Sequence, residues 1–141
     1  MTEVSFYTFA DDKLAVARKL AAKAVACDLR VMIYTPDTAL AEAVDRMLWT
    51  TPVQGFLPHC RDSHRLAADT PVLIGENADA LSQADVMINL HHERPPAFSR
   101  FQRLLEIVST DTEDVEQGRL RYRFYRERGY ALTTVDLRNA A

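Results

Sequence analysis

The sequence predicts an α/β fold: one Rossmann-like domain over residues 1–141, with a mostly parallel sheet flanked by helices. Two short, nearly continuous apolar runs, residues 30–34 and 85–90, read as strands buried on both faces. Near the start of the chain, stretches with helical periodicity separate such runs, giving strand–helix–strand–helix. A content of 48% hydrophobic and 26% charged residues in 141 positions suits one soluble domain with a core of its own.

Residues 4–9, rich in β-branched and aromatic side chains, form the first expected strand. Asp11 and Asp12 open a helix, where acids favour the positive end. Leu14, Ala17, Ala21 and Val25 line its apolar face. After the strand at 30–34, Thr35 and Pro36 read as an N-cap and first helical residue. Leu40, Val44, Met47 and Leu48 stripe that second helix, which Pro52 ends. Residues 71–74, 85–90 and 104–108 are further strands, and Pro95-Pro96 marks a loop. A last helix runs from about 113 to 128 and stops at Gly129, before an edge strand at 130–135 and a polar tail. The irregular stretches near 52–70 and 91–100 are the expected docking surfaces.

Several function classes drop out. The first strand–helix turn, Phe9-Ala10-Asp11-Asp12, has no glycine, and its carboxylates would repel phosphate. A small nucleotide-binding α/β enzyme is therefore only the alternative reading, and no cofactor is expected. His59, Cys60 and His64 match no metal-site spacing, and the adjacent His91 and His92 should point in different directions, so no metal is expected. Cys60 beside His59 lacks a third partner, and no serine lies in a nucleophile elbow, so no catalytic residue is assigned. The start lacks a signal peptide's basic region, and no segment approaches the ~20 apolar residues of a membrane helix. Cys27 and Cys60 fit free thiols in a reducing compartment; the expected location is cytoplasmic.

Charge distribution is more informative. The net charge is −3, yet residues 119–128 hold five arginines against one acid, making that stretch +4 and the remainder −7. Arg119, Tyr122, Arg123 and Arg126 follow i, i+3, i+4, i+7 and share an arc of roughly 100°. Leu120 and Phe124 are then expected to meet the sheet, with Arg121 and Arg128 as bystanders on the other side. Guanidinium forks suit carboxylates, and a tyrosine among them suits a ligand with acidic and apolar parts. Direct binding of single-stranded DNA through Arg and Tyr stacking is a second alternative. Trp49 and the nearby Phe56-Leu57-Pro58-His59 either fill the core or form an exposed apolar patch for a protein partner.

Taken in order, these residues resemble the chi subunit family of the bacterial DNA polymerase III holoenzyme, a clamp-loader accessory subunit. The resemblance runs nearly end to end. It covers Phe6-Tyr7, Leu48-Trp49 with Pro52, Phe56-Leu57-Pro58-His59, Pro71-Val72, residues 86–90 and Glu106-Ile107-Val108. It closes with Arg121-Tyr122-Arg123-Phe124-Tyr125-Arg126 and Gly129-Tyr130. The family implies a Rossmann-like domain without nucleotide binding, part of the DNA replication machinery. It implies a psi subunit docked on Trp49, Phe56, Leu57 and Pro58. It also implies the acidic C-terminal tail of single-stranded DNA-binding protein held by Arg119, Tyr122, Arg123 and Thr134, and so an indirect link to single-stranded DNA. One departure stands out: a basic residue of some relatives falls on Val115, among Asp111, Glu113, Asp114 and Glu116, which would weaken tail binding or shift it toward the C-terminal arginines. The linker before this helix is also shorter than in some relatives.

Overall fold

The computed structural model describes residues 2–50, 57–81 and 84–138. Strands β1 (Glu3–Ala10), β2 (Val31–Tyr34), β3 (His59–Arg61), β4 (Val72–Gly75), β5 (Val86–Asn89), β6 (Arg103–Ser109) and β7 (Ala131–Asp136) form one sheet. Its order is β3-β4-β2-β5-β6-β1-β7, and every pairing is parallel. The helices are α1 (Lys13–Ala26), α2 (Thr38–Thr50) and α3 (Thr112–Glu127).

Strand alternation sorts side chains into two cores. Val31, Ile33, Val72, Ile74, Val86 and Ile88 face α1 and α2, whose buried alanines let those helices lie close on the sheet. Met32, Tyr34, Leu73, Met87 and Leu104 face the other way, toward Tyr125 of α3 and Phe98 and Phe101 of the loop before β6. The layers are therefore two helices, sheet, and one helix with loops. All-parallel strands covered on both faces explain why the central runs are continuously apolar.

Local chemistry differs from expectation at three places. Asp37, not Thr35, caps α2: its Oδ1 accepts from the backbone N–H groups of Ala39 and Leu40 at 3.0 and 3.3 Å. Thr35 Oγ1 instead accepts from Asp37 N–H at 3.1 Å in the turn before, so Pro36 precedes the helix. A three-residue strand, β3, lies inside the stretch expected to be irregular; it pairs with β4 from His59 to Arg61. And α3 buries a different face. Gly118, Arg121 and Tyr125 meet the sheet, while Leu120 is 55% exposed; Phe124 is half-buried at the edge of that core, where the guanidinium groups of Arg94 and Arg128 also reach its ring.

Gly118 is what lets α3 approach β6 so closely. A Cβ there would sit 2.8 Å from Val108 Cγ2, so a residue that costs helix stability is required by packing.

Candidate functional site

Where α3 crosses the ends of β1, β6 and β7, a pocket of about 320 Å³ opens. Phe6 and Val108, both buried, form its floor; Phe9, Val115 and Tyr122 add apolar wall, and Arg119 and Thr134 stand exposed at its edge. Parallel register places the strand residues, because Phe6 of β1 lies opposite Thr134 of β7. The Tyr122 ring meets Phe6 edge-on, with centroids 5.3 Å apart.

Phe9 reaches the pocket through an irregularity. The β1–β6 register shifts between Tyr7 and Ala10, and Phe9 takes φ 61°, a left-handed conformation uncommon for a bulky residue. The bulge turns its ring outward, where the guanidinium carbon of Arg138 lies 3.5 Å from the ring centroid. No sequence signal marks this, since left-handed backbone is expected at glycine or asparagine.

Three of the five tail-binding candidates, Arg119, Tyr122 and Thr134, are thus brought to one concavity. Arg123 and Arg126 are exposed on the same helix, one and two turns on from Arg119, outside the pocket lining. The acidic start of α3 is partly neutralised from within. Asp114 accepts from Ser109 N–H at 2.7 Å and lies 3.3 Å from Lys13 Nζ. Burial pushes its carboxyl up, but these two partners outweigh that and hold it below the usual range.

Arg121 is no bystander. Its side chain is 4% exposed, and its Nε donates to Glu106 Oε1 at 3.0 Å, while Nη1 donates to the His92 carbonyl at 2.6 Å. Glu106, fully buried at mid-β6, also accepts from Asn89 Nδ2 at 2.8 Å and from the Tyr125 hydroxyl at 2.7 Å. Burial raises the Glu106 carboxyl above its ordinary pKa, against the pull of Arg121 and the hydrogen bonds from Tyr125 and Asn89. Burial and the adjacent Glu106 push the Tyr125 hydroxyl up as well, keeping it a donor. With three donors on its two oxygens, the carboxylate is the form this geometry satisfies. The sequence carried a signal for this cluster: a single acid inside the apolar run 104–108, and an asparagine closing the run of β5.

At the opposite side of the molecule, Trp49 is 58% exposed at the end of α2, so it is not core. It meets the His59 ring edge-on at 4.9 Å. Pro58 is exposed and Leu57 half-buried against the α1–α2 core; Phe56 lies outside the described residues. Trp49 and Pro58 therefore offer an apolar surface well away from α3 in the sheet order, near edge strand β3.

The remaining candidates separate clearly. Asp12 Oδ1 accepts from the N–H groups of Leu14 and Ala15, at 3.1 and 3.2 Å, at the turn where a phosphate would sit. His59 is buried with Nδ1 2.7 Å from the Leu57 carbonyl, and His64 Nδ1 accepts from Leu66 N–H at 3.0 Å. His91 and His92 do not diverge: their ring centroids are 4.2 Å apart, because residues 91–93 form a bend, to which strand alternation does not apply. Among the described residues no helix is long and apolar enough to cross a membrane.

Comparison with known proteins follows the same lines. Residues 1–133 match the family model described as DNA polymerase III chi subunit, HolC. The Pseudomonas aeruginosa DNA polymerase III subunit chi is 34% identical over 136 residues, covering 94% of each chain. The Haemophilus influenzae subunit chi is 29% identical over 123 residues, 86% of this chain and 85% of its own. The Escherichia coli subunit chi is 27% identical over 107 residues, 75% and 73%. In fold, the chain resembles the C-terminal domain of S. cerevisiae Dbp5 bound to a Gle1 variant and IP6, with TM-score 0.59, 11% identity and coverage of 95% and 90%. A longer Dbp5 chain bound to Nup159, Gle1, IP6 and ADP gives TM-score 0.66 at 13% identity, with 96% of this chain and 42% of that one covered.

Proposed function

The chain belongs to the DNA polymerase III chi subunit family, and on that premise we propose that it is a non-catalytic adaptor of the replication machinery. It joins the clamp loader, through a psi subunit, to the acidic C-terminal tail of single-stranded DNA-binding protein. Single-stranded DNA is reached indirectly, and the work is done in the cytoplasm at the replisome.

The observation that supports this reading best is the convergence of Arg119, Tyr122 and Thr134 on one apolar pocket. A tail that ends in phenylalanine brings a ring for the pocket and a terminal carboxylate for the Arg119 guanidinium. Arg123 and Arg126 add exposed positive charge along the helix for the aspartates that precede the terminus. Val115 makes the wall apolar where some relatives carry a base, so electrostatic capture leans more heavily on Arg119.

Calorimetric titration with an acidic peptide ending in phenylalanine tests the site. Loss of the terminal phenylalanine, or Arg119→Ala, should weaken binding at least tenfold, about 1.4 kcal/mol. Equal affinity for Arg119→Ala would remove the site. A naked oligonucleotide bound as tightly as the protein-coated strand would replace the tail with the nucleic acid itself.

The psi surface is tested separately. Trp49→Ala with Phe56→Ala should abolish capture of a psi subunit and leave the tail peptide bound. Loss of both partners together would show that the double change disturbs the fold rather than one surface.

A further inference from the structure

The bend after β5 carries three metal-ligating side chains in a row, and the tail pocket uses none of them. We propose that His91, His92 and Glu93 form a binding site for a divalent transition-metal ion of the zinc class. One donor atom from each residue lies within 4.8 Å of the other two. His91 Nε2 is 4.0 Å from Glu93 Oε2, and His92 Nε2 is 3.9 Å from Glu93 Oε1. Donors held ~2.1 Å from one ion lie at most ~4.2 Å apart, so small side-chain rotations close the set.

The backbone of this bend is fixed at each ligand residue. His91 N–H donates to Asn89 Oδ1 at 2.8 Å, and Asn89 Nδ2 donates to the Glu93 carbonyl at 3.1 Å. The His92 carbonyl accepts from Arg121. Asn89 and Arg121 are themselves locked onto Glu106, so the buried cluster holds the backbone that carries the three donors, and only their side chains need to rotate. The His91 ring also packs edge-on against Tyr34, at 6.4 Å between centroids.

The surroundings favour a cation. The site lies beyond the carboxyl end of a central parallel strand, Asp37 and Glu93 act on His91 as negative charges, and a hollow joins His92 to Asp111, Glu113 and Asp114, the last of which is already paired with Lys13 in the same hollow. Arg121 opposes, but its charge faces Glu106 at 3.0 Å. Two imidazoles and one carboxylate suit zinc, nickel or copper over magnesium, with a further position open to water or to a donor from another chain.

Titration of the full chain with zinc chloride in a non-chelating buffer, with magnesium chloride as control, decides the matter. Saturable one-to-one binding that EDTA reverses is the expected result. His92→Ala, whose side chain is 59% exposed and adds little to the core, should weaken it at least tenfold. The His91→Ala/His92→Ala variant should abolish it, with an unchanged melting curve for His92→Ala and unchanged tail-peptide affinity for both. No saturable zinc binding overturns the proposal. So does zinc held equally well by the double variant, or magnesium competing on equal terms, since either would assign the heat to surface acids.

Discussion

The two faces of α3 use the same residue type for opposite purposes. Arg121 is buried against Glu106, its charge consumed inside the fold. Arg119, two residues earlier, stands exposed over an apolar pocket, with its charge available to a ligand. A count of arginines along the helix cannot tell them apart, because the distinction belongs to the strand beneath. A buried acid at mid-β6 demands donors from whatever covers it, and α3 turns Arg121 and Tyr125 inward to supply them.

The largest test of that contrast is to break the buried pair. Glu106→Ala or Arg121→Ala strands a charge in the core and should cost about 3–5 kcal/mol in urea unfolding. Replacing both, as Glu106→Leu with Arg121→Met, should cost less than the sum of the single changes, because neither charge is left alone. Additive losses would mean that the two side chains act independently. Next in size is Gly118→Ala. Its added methyl meets Val108, so about 1–3 kcal/mol should be lost to overpacking, less up to ~1 kcal/mol regained in helix propensity. The same change should weaken the tail peptide, because Gly118 also lines the pocket.

A smaller effect is expected in acid. The Asp114 carboxyl is held below its ordinary pKa, so its contribution is present above the unfolded value of about 3.9 and is lost as pH falls through the folded one. Asp114→Asn should therefore flatten the decline in stability below about pH 4, measured by unfolding at stepped pH. Smallest of all is the stability change in Arg119→Ala, expected within ~0.5 kcal/mol of the parent protein despite its loss of binding. A larger shift would show that the outer face carries structural weight too.

Much of the fold was legible because parallel strands buried on both sides leave uninterrupted apolar runs. Residues 30–34, 71–74, 85–90 and 104–108 all mark real strands. The rotation of α3 was not, because an apolar-stripe rule selects Leu120, which is exposed, whereas the sheet below called for polar donors at Arg121 and Tyr125. In the site, the helical spacing of Arg119 and Tyr122 was readable from the residues alone. Thr134 came only through the family resemblance, since its role depends on which strand β7 joins. Phe9 was hidden altogether: nothing in the sequence announces a bulge that swings an aromatic ring into a pocket.

The cap on α1 has a further consequence. In many parallel α/β proteins the first strand–helix turn leaves backbone N–H groups open, and a visiting phosphate completes them. Here Asp12 already holds the N–H groups of Leu14 and Ala15, so the helix carries its own permanent counter-ion. Acquiring nucleotide chemistry would require evicting that carboxylate and rebuilding the turn in the same step. The corner where such a ligand would dock is closed by one of the chain's own side chains.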